Sequence, residues 1–177
     1  ISEEKGLPTY NKAESQDICF LTSEKSYAEF LQNHAPEAFR PGNITDTKGR
    51  ILGRHKGLPF YTIGQRKGLG VSANAPLYVL GKDPDRNAVI LGEDNRLYTR
   101  ELTAERVNWL SVPEPDRPLS VTAKTRYSQR EAAATVEPLP GGRIRMVFTE
   151  PQRAVTPGQA VVFYDGDLVL GGGTICP

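Results

Sequence analysis

Cys19 stands in Ser15-Gln16-Asp17-Ile18-Cys19-Phe20, a polar approach that ends on an apolar trio. A cysteine attacks or carries sulfur only as its thiolate. Its ordinary pKa of about 8.5 leaves a small fraction ionised at neutral pH, and a nearby helix N-terminus favours that fraction. Ser23, which can cap a helix, follows four residues later. Flanked by Ile18 and Phe20, the same thiol also suits a buried, inert position. The local sequence leaves both readings open.

A second stretch runs from His55 to Gly70 and contains Tyr61-Thr62-Ile63-Gly64-Gln65-Arg66-Lys67-Gly68-Leu69-Gly70. Glycine at 57, 64, 68 and 70 permits tight turns and close backbone approach, while Gln65, Arg66 and Lys67 can donate to phosphates or base edges. No Gly-Lys-Ser/Thr closes the stretch, so it is not a P-loop. A glycine-rich connection with solvated cations is the plainer alternative. With His34 as the only other histidine and no cysteine nearby, His55 gives a metal site little support.

Further on, Lys124-Thr125-Arg126-Tyr127 ends a strand-like run and is followed by Gln129 and Arg130. Arginine beside an aromatic ring can hold a phosphate and stack on a base, or simply be an exposed pair at a strand end. Thr156-Pro157-Gly158-Gln159 reads as a turn entering a strand. Gly171-Gly172-Gly173 reads as a bulge or a close backbone approach. Trp109 and Phe163 read as core, and Cys176 as incidental. No carboxylate pair suggests acid/base work, and no Gly-x-Ser-x-Gly occurs.

The elements that must position these residues are mostly strands. Ser23 as cap, Glu24 in the first turn, and Tyr27, Phe30 and Leu31 on one face predict a helix that Pro36 limits. Gly42–Thr45 and Arg50–Arg54 flank a turn, as do Leu77–Leu80 and Ala88–Leu91, which predicts two hairpins. From Leu102 on, short strands recur: Leu119, Val121 and Ala123 alternate with polar partners, Arg143–Thr149 follows Pro140-Gly141-Gly142, and Ala160–Tyr164 and Leu168–Leu170 flank Asp165-Gly166-Asp167. Five or six such strands closing on themselves make a small barrel without exposed edges. The fold class expected is mainly β with one or two short helices. The division expected is 1–21, carrying the Cys19 loop; 22–98, a small β-rich domain; and 99–177, a barrel.

The 177 residues carry a formal net charge of +1, which names no partner. Its distribution is more informative. No acidic residue lies between Asp46 and Asp83, whereas Lys48, Arg50, Arg54, Lys56, Arg66, Lys67 and Lys82 all do. A one-sign stretch suits a face that meets polyanion, or a solvated basic loop. No apolar run reaches the ~18 residues of a membrane span, and no signal segment precedes a cleavage site. Two cysteines suit a reducing cytoplasm, which is the location expected. The abrupt start without Met leads us to expect a piece of a longer chain.

Together, the segment 15–20, the stretch 55–70, Thr156-Pro157-Gly158-Gln159, Val162-Phe163-Tyr164 and Leu170-Gly171-Gly172-Gly173 resemble the tRNA-specific 2-thiouridylases, in that family's order and over nearly the whole chain. The resemblance implies transfer of sulfur to C2 of the wobble uridine of tRNA after adenylation from ATP, bound with Mg. Cys19 would be the persulfide carrier, charged by a relay that begins at a cysteine desulfurase. Arg126, Tyr127 and Gln159 would contact tRNA, with Gln65, Arg66 and Lys67 as weaker candidates. It also implies a barrel similar to the second domain of translation elongation factors. A second, nucleophilic cysteine, able to form a disulfide with the carrier, belongs to the family's N-terminal ATP pyrophosphatase domain; Cys176 does not match it. The Ser-Gly-Gly-Val-Asp-Ser loop of that domain is absent from this sequence, so the chain by itself is expected neither to bind ATP in the family's way nor to thiolate RNA. Two other readings stand beside it: a non-catalytic RNA-binding module with a structural cysteine, and a translation-factor-like interaction barrel.

Overall fold

A computed structural model of the protein describes residues 3–6 and 27–177. Cys19 and the capping residues expected from Ser23 lie outside the described residues. The helix itself, α1 (Tyr27–His34), is present and ends before Pro36, which opens a short 3-10 helix, Pro36–Phe39. A proline donates no N–H, so it fits a first helical turn and not a continuing helix.

Both hairpins read from the sequence form. β1 (Gly42–Asp46) pairs antiparallel with β2 (Ile51–His55), and β3 (Tyr78–Asp83) with β4 (Ala88–Gly92). They are joined by a parallel β1–β4 pairing, giving a four-stranded sheet in the order β2-β1-β4-β3. Ile44, Val79, Val89 and Leu91 form its core, together with Tyr61 and Leu69 from the glycine-rich connection. That connection is therefore not free: Gly64 N–H donates to Val79 O at 2.8 Å and Val79 N–H to Gln65 O at 2.9 Å, extending the pairing along the outer edge of β3.

The 3-10 helix Asp94–Leu97 leads into β5 (Tyr98–Trp109). β6 (Leu119–Lys124), β7 (Ala132–Leu139), β8 (Arg143–Arg153), β9 (Ala160–Asp165) and β10 (Leu168–Ile175) complete a closed barrel in the order β10-β5-β8-β7-β6-β9. The chain is thus mainly β, a small sheet domain followed by a six-stranded barrel. Alternate side chains fill the barrel: Leu102, Ala104, Val121, Ala123, Val136, Ile144, Met146, Phe148, Val161 and Phe163 are all buried. Trp109 packs against Phe163, with ring centroids 5.0 Å apart. Among the described residues, no helix is long and apolar enough to cross a membrane.

The triple glycine is a close backbone approach. A Cβ on Gly171 would lie 2.5 Å from Asn108 O, one on Gly172 2.9 Å from Val161 O, and one on Gly173 3.0 Å from Glu105 O. The register of β10 shifts there against both neighbours. Arg106, opposite, takes a positive φ of 52°, the extra residue of a bulge.

Candidate nucleic-acid interface

β6 ends at Lys124, and the next residue turns inward. The Thr125 hydroxyl, on a side chain buried in the barrel end, donates to Gln129 Oε1 at 2.7 Å. Gln129 Nε2 donates in turn to Gln152 Oε1 at 2.9 Å, and Gln152 Nε2 to Glu150 O at 2.8 Å. This polar chain, satisfied link by link, pins the 125–130 turn to the end of β8. Arg126 and Tyr127 ride on that turn. Tyr127 is 88% exposed.

Arg126 points the other way. Its Nη2 donates to Ala154 O at 2.7 Å and Thr156 Oγ1 at 3.1 Å, and reaches Ile63 O at 3.5 Å. One guanidinium therefore joins the barrel turn, the Thr156-Pro157-Gly158-Gln159 turn and the glycine-rich connection. Its Nε is buried without a protein partner among the described residues. Charge alone marks Arg126 as a phosphate ligand; in the fold it is first a crosslink.

Gln159 heads β9. Its backbone is fixed by Ile175 N–H donating to Gln159 O at 2.8 Å, Gly158 N–H to Ile175 O at 2.8 Å, and a Gly158 φ of +83°. Its exposed side chain lines a cleft of about 500 Å³ between barrel and sheet domain, opposite Leu31, Tyr61, Ile63 and Lys82. The structure thus brings Gln159 to the same end of the barrel as Arg126 and Tyr127, though 31 residues lie between Tyr127 and Gln159 in sequence.

The candidates at 65–67 divide. Gln65 Oε1 accepts from Thr62 N–H at 2.9 Å and its Nε2 donates to Lys67 O at 3.0 Å, so this amide shapes its own loop. Arg66 and Lys67 are exposed. Gly64 lies against the barrel, where an added Cβ would meet Ala154 Cβ at 3.3 Å. The basic loop consequently begins at the seam beside the Arg126 turn.

Other seam contacts carry no signal in the sequence. Arg153 donates from Nε and Nη2 to Asp94 Oδ1 at 3.1 and 2.8 Å, and its guanidinium lies 5.4 Å from the Tyr78 ring centroid. The hydrogen bonds from Arg153 to Asp94 hold its pKa above the ordinary arginine value. Ala154 N–H donates to Leu97 O at 2.7 Å. A hollow of about 290 Å³ on the barrel wall, lined by Lys124, Arg126, Tyr127, Ala160, Val162 and Tyr164, was likewise not read as a site; the alternation of β9 was the available clue. Cys176 is a half-buried free thiol whose backbone N–H donates to Thr103 O at 2.8 Å. Among the described residues, no three His, Cys, Asp or Glu side chains group as metal ligands.

Comparison with known proteins adds the lineage. A family model described as the tRNA methyl transferase PRC-barrel domain matches residues 28–93, and one described as the aminomethyltransferase beta-barrel domain matches 99–175. A tRNA-specific 2-thiouridylase MnmA of Moorella thermoacetica is 55% identical over 175 residues, 99% of this chain and 49% of that protein. One of Acetivibrio thermocellus is 48% identical over 174 residues, 98% of this chain and 48% of that protein. The chain belongs to the tRNA-specific 2-thiouridylase family. It spans about half the length of the curated relatives it matches. Within the family, then, the barrel end that gathers Arg126, Tyr127 and Gln159 falls in the matched beta-barrel domain, and the Gln65–Lys67 loop in the matched PRC-barrel domain.

Proposed function

We propose that this chain is the RNA-gripping half of a tRNA-uridine 2-sulfurtransferase and carries, in Cys19, its persulfide. The observation that carries the reading is the convergence just described. An outward tyrosine and a glutamine sit at one barrel end, beside which a loop with two exposed cations begins, in a chain whose curated relatives are named tRNA-specific 2-thiouridylases. Exposed aromatic rings beside cations suit single-stranded RNA, where bases can be stacked and phosphates neutralised. Cys19 enters through the resemblance of its sequence segment.

In this reading tRNA is the partner substrate and the reaction takes place in the cytoplasm. ATP, with Mg, activates the uridine in a part of the enzyme that lies within the other half of the relatives' length. The terminal sulfur of the Cys19 persulfide attacks C2 of the adenylated uridine, and the C2 oxygen leaves on AMP. A thiolate from a second cysteine then attacks Cys19 Sγ. The sulfur–sulfur bond breaks, a disulfide forms between the two cysteines, and the transferred sulfur stays on C2. A desulfurase-fed relay recharges the thiol once the disulfide is reduced. Cys176 has no part in this scheme.

The test compares the full-length parent protein with its Cys19→Ser variant. Each receives ATP, a persulfide-generating donor and unmodified tRNA, and thiolation is read by retardation in a mercury-containing gel. Retardation with the parent alone, while the variant still binds tRNA, supports the carrier role. Equal retardation with both makes Cys19 structural. The present chain alone is expected to leave the tRNA unmodified.

A further inference from the structure

We infer that the outer wall of β6 and β9 holds a pocket for one unstacked nucleobase of a single-stranded RNA segment, with Tyr127 and Tyr164 as stacking faces and Lys124 at the neighbouring phosphate. The inference rests on the RNA-binding reading above and extends it to Tyr164, Lys124 and a seat for a single nucleobase, which that reading does not include.

Strand register builds the pocket. β6 and β9 pair with Thr122 opposite Tyr164 and Lys124 opposite Val162. Because side chains alternate across a strand, burying Val161 and Phe163 in the barrel turns Ala160, Val162 and Tyr164 outward. The hollow they share with Lys124, Arg126 and Tyr127 measures about 290 Å³. That lies at the small end of ligand pockets, roughly 300–1,000 Å³, and suits a single planar ring system better than a peptide or a dinucleotide.

Its chemistry points the same way. Lys124 Nζ lies 5.5 Å from the Tyr164 ring centroid and 3.3 Å from Glu131 Oε1. The cation is thus already drawn to the aromatic rim while two-thirds buried (32% exposed). Tyr127 is 88% exposed on a turn anchored by the Thr125–Gln129–Gln152 chain and by Arg126. The backbone of that turn is fixed before anything binds, so stacking has only the Tyr127 side chain itself left to order. Aromatic faces next to a cation, without a donor–acceptor set for one base, fit the sequence-tolerant gripping of unpaired RNA.

The experiment uses the natural protein that carries this chain and a tRNA anticodon stem-loop with 2-aminopurine at successive loop positions, beside a duplex of equal length. Tyr164→Ala is expected to weaken stem-loop binding about ten-fold and to remove fluorescence quenching at one loop position. Tyr164→Phe should bind within about two-fold of the parent, since the face and not the hydroxyl stacks. Lys124→Ala should lower the salt dependence by about one phosphate contact. Circular dichroism confirms that each variant folds. If Tyr164→Ala binds and quenches like the parent while Tyr127→Ala and Gln159→Ala weaken binding, the pocket is wrong and the RNA reading stands. Equal weakening by Phe and Ala at 164 also overturns stacking. If Gln159→Ala and Tyr127→Ala too bind like the parent, the RNA reading itself fails.

Discussion

His55 is 1% exposed and both of its ring nitrogens are engaged. Nδ1 accepts from Gly57 N–H at 3.0 Å, and Nε2 lies 2.9 Å from Asn87 O. A carbonyl can only accept, so Nε2 carries the proton and the ring is neutral. The residue fastens the end of β2 to the β3–β4 turn, which is why no metal role is needed to explain it. His55→Leu keeps the bulk and strands the Gly57 N–H, whereas Asn87 O keeps its bond from Asn43 N–H at 3.3 Å; a loss of about 1–3 kcal/mol is expected in urea unfolding. Arg145 makes a different kind of anchor on the barrel surface, bonding Glu101 at 2.7 and 2.8 Å and Glu137 at 3.0 Å. The Arg145 hydrogen bonds hold the Glu101 carboxyl below its ordinary value of 4.5. A depressed folded pKa means that Glu101 contributes in full above about 4.5 and loses its contribution as pH falls through the folded value. Glu101→Gln should therefore melt below the parent at pH 7, with the gap closing as pH falls below 4.5; a constant gap would show that charge plays no part. At Arg126 residue type was legible and direction was not. Arginine beside tyrosine signals RNA, yet the carbonyls that turn the guanidinium inward come from Ala154 and Ile63, which no local pattern connects to it.

β10 shows what an element demands of its residues. Gly171 has no positive φ and is needed for space alone, since an added Cβ would meet Asn108 O at 2.5 Å and the Phe163 ring at 3.0 Å. A backbone carbonyl in a paired strand cannot rotate away, so Gly171→Ala should destabilise by about 1–3 kcal/mol. Gly81, in β3, has open space around the same position. Gly81→Ala is expected to be neutral or to stabilise by a few tenths of a kcal/mol, and equal losses at both sites in chemical denaturation would refute the packing argument. The triple glycine was readable as a bulge or a close backbone approach, and the strand shows both. The hairpins were readable from their turns. The parallel β1–β4 pairing was not, because it joins segments some 45 residues apart with no turn between them to mark it. β7 escaped too: Ala132-Ala133-Ala134-Thr135 has low strand propensity, and it is a strand because β6 and β8 hydrogen-bond to it on both sides.

A few specific contacts tie the sheet domain to the barrel along the seam. Arg153 with Tyr78 at the end of β8 and Arg126 with Ile63 after β6 cross it, while Arg153 with Asp94 and Ala154 with Leu97 tie β8 and its exit to the connector that leads into β5. Partly exposed ion pairs contribute little singly, but these share one arginine-rich edge, and the backbone bond from Ala154 cannot slip. Heating should accordingly show a single unfolding transition in calorimetry, which Arg153→Ala together with Asp94→Ala splits or broadens. The coupling matters because it seats Ile63 and Gly64, at the start of the loop that carries Arg66 and Lys67, beside the Arg126 turn. Sequence charge alone predicts a basic face along the whole acid-free span, but Arg50 is tied to Asp46 at 3.1 Å, and Arg66 and Lys67 stand exposed on the loop that begins at the seam. If that loop meets RNA backbone, each phosphate contact adds roughly 0.7–0.9 to the slope of log affinity against log salt. The double variant Arg66→Ser, Lys67→Ser should therefore lower tRNA affinity most at low salt and flatten the slope by roughly 1–2. Its melting temperature should stay unchanged, because Gln65 and the buried Leu69 hold the loop without either cation. An unchanged slope would mean that the loop faces solvent and that RNA is gripped by the barrel end alone.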